Sequence, residues 1–375
     1  MNQSRVEGDG IREAIVGLET QFLLTTRNAE GEQYYDESER VTVKISNLQG
    51  RGYAVEARVQ DNKDGSYKIK YFAKETGQCN VSVKVNEKHV HGSPFVVQVR
   101  TRQFRPVSLP LWNEGVTSQG WRKVSVIISK PWGVAVNERD EIAVTEAGNY
   151  LVQIFKRDGM HQRGFGRKGD KQGELNFPTG IAFDVKNENL FVADSGNHRV
   201  QVLGQYGKHL NHFGGKGNLD HQLNFPLGLS VGSDGNIIVA DSGNKAIKVF
   251  SPSGRFLRKI GGEGTFTYPY HCVQYDNRFI VSDSDEHCIG VLAREGDGEF
   301  NRPRCLSVNK VGQLIVCDEF NDRLQVFALS GKFITRFGKK GSGLGEFNNL
   351  VSTAVLSDGK IIVSDLGNDH IQMLE

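Results

Sequence analysis

Between residues 8 and 100 apolar and polar positions alternate over short runs: AIVG, FLLTTR, VTVKIS, YAVEARV, SYKIKYFA, CNVSVKV and FVVQVR. A period of two puts alternate side chains on one buried face, so these runs predict strands. Seven of them in about 90 residues predict a β-sandwich. Further on, the pattern becomes a repeat. LFVADSGNHRVQVL (190–203), IIVADSGNKAIKVF (237–250), FIVSDSDEHCIGVL (279–292), LIVCDEFNDRLQVF (314–327) and IIVSDLGNDHIQML (361–374) are copies of one unit. EIAVTEAGNYLVQIF (141–155) is a sixth, read with Thr145 where the others have aspartate. The anchors at 145, 194, 241, 283, 318 and 365 are spaced by 49, 47, 42, 35 and 47 residues. Short strands repeating in the mid-forties predict propeller blades.

In one unit FPLGLSV (225–231), NIIVAD (236–241), KAIKVF (245–250) and RFLRKI (255–260) read as four successive strands. Glycine in SDG (233–235) and PSG (252–254) admits the positive φ of tight hairpins. The sixth copy stops at its third strand, and FRPVSL (104–109) is placed to supply the missing one and close the ring. Too few residues separate Leu292 from Arg302 for an outer strand, so blade four is expected to be three-stranded or distorted. Residues 110–129 lack the spacer found between other blades.

The run of aromatic-Pro-x-Gly, IIVAD, SGNHRVQVF and a G-K-F outer strand resembles NHL repeats, with DSGNHRVQVL (194–203) nearest their signature. DGSY, Tyr71, Gly77 and GSPF (92–95) within residues 61–99 resemble a filamin-type immunoglobulin repeat. The expected fold is therefore all-β, a filamin-type immunoglobulin-like sandwich over 8–101 followed by a six-bladed NHL propeller over 104–375. Its repeats lie near 130–165, 177–213, 225–260, 268–292, 301–337 and 349–374. Together the two parts resemble the C-terminal half of the tripartite-motif NHL proteins, many of which are E3 ubiquitin ligases. The RING, B-box and coiled-coil parts of that family have no counterpart in these residues, so ligase activity belongs to the resemblance and this chain is read as non-enzymatic. The filamin-type module is read as a spacer or as a peptide-capturing sheet edge.

Glycine, 44 of 375 residues, fits periodic turns. The net charge of +2 gives no global pull toward nucleic acid or membrane. Five cysteines without CxxC spacing read as free thiols of a reducing, cytoplasmic setting. No leader or membrane span is evident, and no cofactor or metal is expected.

Blade topology puts the loops between second and third strands, with the blade-to-blade connections, on one face. Lys130, Trp132, Arg199, Lys245, Tyr270, His271, Arg302, Arg304 and Arg323 are the candidate ligand-binding residues there, beside Tyr150, His198, His287, Phe320 and His370. Basic and aromatic groups together suit RNA. Yet 13 Lys/Arg on that face meet 14 Asp/Glu outside the turn aspartates, a balance of −1. Protein binding therefore leads and RNA binding is the alternative. Arg199 and Arg323 have a packing role as the competing reading, and for Trp132 the competing reading is a plug between blades. A propeller lyase or hydrolase is set aside, because the innermost strands GVAV, GIAF, GLSV, HCVQY, CLSV and STAVL supply no converging ligands. Only His271 among the histidines lies in such a strand.

Overall fold

The computed structural model describes residues 4–16, 18–47, 55–73, 76–100, 106–107, 128–184, 186–275, 278–291 and 300–375. Two compact units emerge, residues 1–103 and 104–375. In the first, one sheet orders Arg5–Glu7, Glu19–Thr25, Ser66–Phe72 and Ala57–Asp61. The facing sheet orders Glu13–Ile15, Phe95–Arg100, Gly77–Val85 and Val41–Asn47. Phe22, Leu24, Ile69, Val81, Val83 and Val97 are each at most 3% exposed and fill the space between them. The alternation of the sequence is visible as the inward half of each strand. Tyr71 spans this core to donate from its hydroxyl to the Gly10 carbonyl at 2.7 Å. Asp64 Oδ1 takes the Ser66 amide at 2.8 Å and sets the DGSY turn.

The second unit is a ring of six sheets. Blade 2 shows the pattern: Pro178–Phe183 lines the axis, followed outward by Leu190–Asp194, Arg199–Leu203 and His209–Gly214. Each of six apolar clusters is shared by two adjacent blades, as where Ala143, Val152 and Ile154 of blade 1 meet Ile181, Leu190 and Val192 of blade 2. A single blade has two apolar faces and no core of its own. Burial therefore requires neighbours on both sides.

Ring closure takes the form the sequence suggested. Pro106–Val107 pairs with His370–Leu374 as the fourth strand of blade 6, Pro106 opposite Leu374. Blade 4 has three described strands, Pro269–Tyr275, Arg278–Asp283 and Cys288–Val291. The short stretch after Leu292 and the spacer 110–127 lie outside the described residues.

Every second strand ends in a buried carboxylate. Asp194 Oδ1 accepts the Asn176 amide at 2.6 Å, and Oδ2 accepts from Asn197, Arg199 and Gln201 at 2.8–3.0 Å. The motif D-x-G-N-x-R-x-Q is thus a single hydrogen-bonded knot. Asp318 repeats it with Asn301, Asn321, Arg323 and Gln325. Blade 3 substitutes Lys248, fully buried with Nζ 2.9 Å from Asp241. In blade 1 the role falls to Glu146, which pairs with Pro131 as Asp194 pairs with Pro178 and accepts from Ser129 and Asn149. This corrects the anchor placed at Thr145. The longer carboxylate stands one residue later, and Thr145 instead donates across to the Thr179 carbonyl of blade 2 at 2.5 Å.

Removing the carboxylate should cost more than removing its cation. Asp241→Ala leaves the buried Lys248 ammonium with the Leu219 and Gln222 carbonyls but no counter-charge, a loss of about 3–5 kcal/mol. Lys248→Met leaves Asp241 with the Asn224 amide and Asn244 as donors. Urea unfolding should therefore place its midpoint between those of D241A and the unmodified protein.

Candidate functional site

The face predicted for binding carries two concentric rings of strained residues. The inner ring precedes the innermost strands. Lys130, Phe177, Phe225, Arg302 and Asn349 all have φ between 49° and 69°, and Tyr268 fills the same place in blade 4. The outer ring follows each turn between second and third strands: Tyr150, His198, Lys245, His287, Asp322 and Asp369, with φ from 48° to 60°. Left-handed backbone costs an ordinary residue ~1–2 kcal/mol, so each position must be held by its surroundings.

Part of that hold is a latch from blade to blade. His198 Nδ1 accepts the Phe225 amide at 3.1 Å, and His287 Nδ1 accepts the Arg302 amide at 2.9 Å. Asp322 Oδ1 takes the Asn349 amide at 3.0 Å. Asp369 of the last blade takes that of Lys130 in the first, at 2.6 Å. Tyr150 and Lys245 carry no short acceptor for this job. The rings hold large side chains, including Phe225 (44% exposed), with Phe320 (52%) beside them, and Leu219 and Leu344 stand exposed on the connections between blades.

The nine candidate residues divide by depth. Lys130 and Lys245 are exposed on the rings. Arg302, half-buried, lies 5.2 Å from the Phe320 ring centre and 3.3 Å from Asp285. Arg199 and Arg323 belong to the carboxylate knots of blades 2 and 5. Trp132, Tyr270 and Arg304 close the central channel. The Arg304 guanidinium lies 5.3 Å from the Trp132 ring centre and 4.9 Å from that of Tyr270. It also donates to the Tyr270 hydroxyl at 3.1 Å and pairs with Glu319 at 2.5 Å. Burial pushes the Tyr270 phenol well above its usual range against the opposing pull of Arg304, so it stays a neutral partner. Blades 4 and 5 are neighbours, but blade 6 stands between blade 5 and blade 1. Arg304 of blade 5 reaches across the axis to Trp132 of blade 1.

Beneath this plug lies a cavity of about 620 Å³, running along the innermost strands to Asn137, Arg139 and Asp184 at the hairpin face. One level below the plug, blades 1, 2 and 3 carry Gly133, Gly180 and Gly228, whereas blades 4, 5 and 6 carry His271, Cys305 and Ser352. Gly228 is required there, since a Cβ would come within 2.5 Å of both His271 Cδ2 and the Tyr270 carbonyl. Ser352 Oγ donates to Cys305 Sγ at 3.4 Å, and the His271 imidazole of the neighbouring blade acts electrostatically on the same thiol. Burial alone would raise the Cys305 pKa. The adjacent His271, the Ser352 hydroxyl and the Thr353 backbone bring it down to about 7. Burial likewise opposes protonation of His271, and the thiol beside it more than offsets this and raises the imidazole. Reading the innermost strands as free of converging ligands missed this contact. The available signal was that the glycine of the aromatic-Pro-x-Gly start is replaced in three successive blades.

No group of three or more histidine, cysteine or carboxylate side chains suited to a metal occurs among the described residues. Nor is any described helix long and apolar enough to cross a membrane.

Comparison with known proteins agrees with this anatomy. The family model described as Filamin/ABP280 repeat matches residues 1–96, and the NHL repeat matches 129–155, 175–203 and 223–250. A six-bladed β-propeller model, DUF5128, matches 297–372. The E3 ubiquitin-protein ligase TRIM71 of Rattus norvegicus is 33% identical over 157 residues, which are 42% of this chain and 18% of that protein. Tripartite motif-containing protein 2 of Homo sapiens is 28% identical over 198 residues, covering 42% of this chain and 26% of its own length. The matched stretch thus spans about a quarter or less of these curated relatives. A Bacteroides thetaiotaomicron protein of unknown function shares the fold with a TM-score of 0.65 at 14% identity, covering 99% of this chain and 96% of its own. A gluconolactonase from Xanthomonas campestris does so with 0.52 at 15% identity, covering 66% and 86%.

The plug should behave as a charge pair within an aromatic clamp. Arg304→Met leaves Glu319, 1% exposed, without its cation, and should cost about 3–5 kcal/mol in chemical denaturation. The double variant R304M/E319L should recover most of that loss, because no orphaned charge remains.

Proposed function

The chain is a filamin–NHL protein related to the tripartite-motif proteins, and from that premise we propose that its propeller recruits a protein partner on the face of the two strained rings. The supporting observation is how that face spends its charge. Arg167 pairs with Glu174, Arg199 with Asp194, Arg302 with Asp285, Arg304 with Glu319, Arg323 with Asp318 and Lys339 with Glu346. Tight phosphate binding draws on several uncommitted cations at once, and six of the thirteen on this face are already paired with carboxylates. What the face offers outward is apolar and aromatic: Phe225, Phe320, Leu219 and Leu344, among dispersed charges. That composition suits the core of a protein interface with a polar rim.

In a longer ligase such a propeller would be the substrate-recruiting arm, with ubiquitin transfer performed by other segments. RNA binding for post-transcriptional repression is the second reading, favoured by exposed Lys130 and Lys245 and by Lys168, 5.1 Å from the Tyr150 ring centre. The filamin-type unit contributes an edge strand, Ala57–Asp61, open to an added peptide strand.

Two parallel assays separate the readings. Affinity capture from cell extract treated with nuclease should return a reproducible protein set. That set should be lost with Phe225→Ser/Phe320→Ser and retained with Leu257→Ser on the outer strand of blade 3. Gel shifts of the same proteins against pooled RNA hairpins and single strands should give no complex at about 150 mM salt. A shift abolished by reversing Lys130, Lys245 and Arg302, with no face-dependent protein capture, would replace the protein reading by the RNA one.

A further inference from the structure

The channel holds chemistry that the binding face does not use. His271 and Cys305 come from the innermost strands of adjacent blades, meet one level beneath the Arg304 plug, and both line the 620 Å³ cavity. His271 is 9% exposed, and its Nδ1 is buried without a hydrogen-bond partner. An imidazole nitrogen left unsatisfied in an interior is costly unless something else uses it. Cys305 is 5% exposed, held by Ser352 Oγ at 3.4 Å, with its own sulfur 3.9 Å from the Thr353 carbonyl.

We propose that Cys305 is a reactive thiol, activated by His271, that takes up small uncharged soft electrophiles of the α,β-unsaturated carbonyl class entering the channel from the hairpin face. The walls argue for an uncharged ligand. Val134, Ile181, Leu229, Val273, Leu306 and Val351 surround the space between plug and rim. Arg304, next to the thiol in the chain, is consumed by Glu319 and the two rings. A volume of 620 Å³ lies in the ordinary range for small-molecule sites. The other thiols differ in kind. Burial raises Cys79 and Cys272, and it raises Cys317 well above the usual range, with no imidazole to counter it.

The chemistry closes without a further reactant. The Cys305 sulfur forms a bond to the β-carbon of the electrophile, and the proton held on His271 is delivered to the α-carbon. Nothing leaves and nothing is oxidised. The groups facing the thiol are His271 and Tyr270 from blade 4, Cys317 from its own blade, and Arg304 with Glu319 at the plug. Tyr270 and Cys317 are both pushed upward by burial and remain neutral near pH 7. The reactive form of Cys305 is the thiolate, so its rate should climb through pH 7 and level off above it. An ordinary thiol keeps climbing to about 8.5.

The experiment is site-resolved alkylation of the full chain by N-ethylmaleimide, followed by peptide mass spectrometry. At pH 7 Cys305 should react about tenfold or more faster than Cys79, Cys272 and Cys317, with the pH midpoint near 7. A maleimide carrying a long polyethylene glycol chain should spare Cys305 in the folded protein. His271→Gln should slow Cys305 about tenfold at pH 7 while the partly exposed Cys288 keeps its rate. The proposal is overturned if Cys305 reacts only after unfolding, if H271Q leaves its rate unchanged, or if its wild-type profile rises only near pH 8.5. That last measurement needs no variant, so it decides even if H271Q folds poorly. Capture of a protein partner by the opposite face is independent of all these outcomes.

Discussion

A carboxylate sealed at the end of each second strand governs the propeller. Asp194 holds the connection before its blade through the Asn176 amide, the turn through Asn197 and the third strand through Arg199 and Gln201. Three backbone segments besides its own strand therefore share one ion. A buried charge is tolerated only when its lone pairs are filled, and here the filling is what fixes the loops. The blades vary the donors while keeping the ion: Lys248 in blade 3, and Glu146 serving as the acceptor in blade 1. Blade 4 keeps Asp283 but has Cys288 and Gly290 where blade 2 has Arg199 and Gln201. Its carboxylate accepts the Thr267 and Tyr268 amides instead.

With the turns pinned, the backbone at their exits can be held in left-handed conformations that ordinary residues avoid. This lets bulky groups such as Phe225 and Arg302 stand where a loop would normally carry glycine. The same strain aligns His198, His287, Asp322 and Asp369 to latch the following blade, the last of them sealing blade 6 to blade 1. Stability and the proposed binding surface are thus made by the same residues. The face is rigid because the ring is closed, and it exposes apolar side chains among charges that are in part already paired.

The two ends of the channel have opposite characters for a related reason. At the ring face Trp132, Tyr270 and Arg304 meet because their strands begin with residues large enough to cross the axis. Immediately below, small residues in three blades leave room for His271 and Cys305 in the others. A closed top and an open, apolar shaft isolate the thiol–imidazole pair from the face where a macromolecule would dock.

Much of this was legible in the chain itself. Alternation gave the sandwich, the mid-forties repeat gave the blades, and the truncated sixth copy with FRPVSL gave the closing strand, because all three depend on local periodicity. The anchor of blade 1 was misplaced by one residue, since Glu146 and Thr145 both suit a strand end and only pairing with Pro131 distinguishes them. The candidate site was legible as a face and not as depths. Which arginines are spent on carboxylates, and that Arg304 crosses the axis, follow from side chains of blades far apart in sequence. The meeting of His271, Cys305 and Ser352 likewise spans 81 positions of the chain. Sequence determines which way each strand faces; only ring closure decides what stands opposite it across the channel, because that contact is set by the number of blades and their packing.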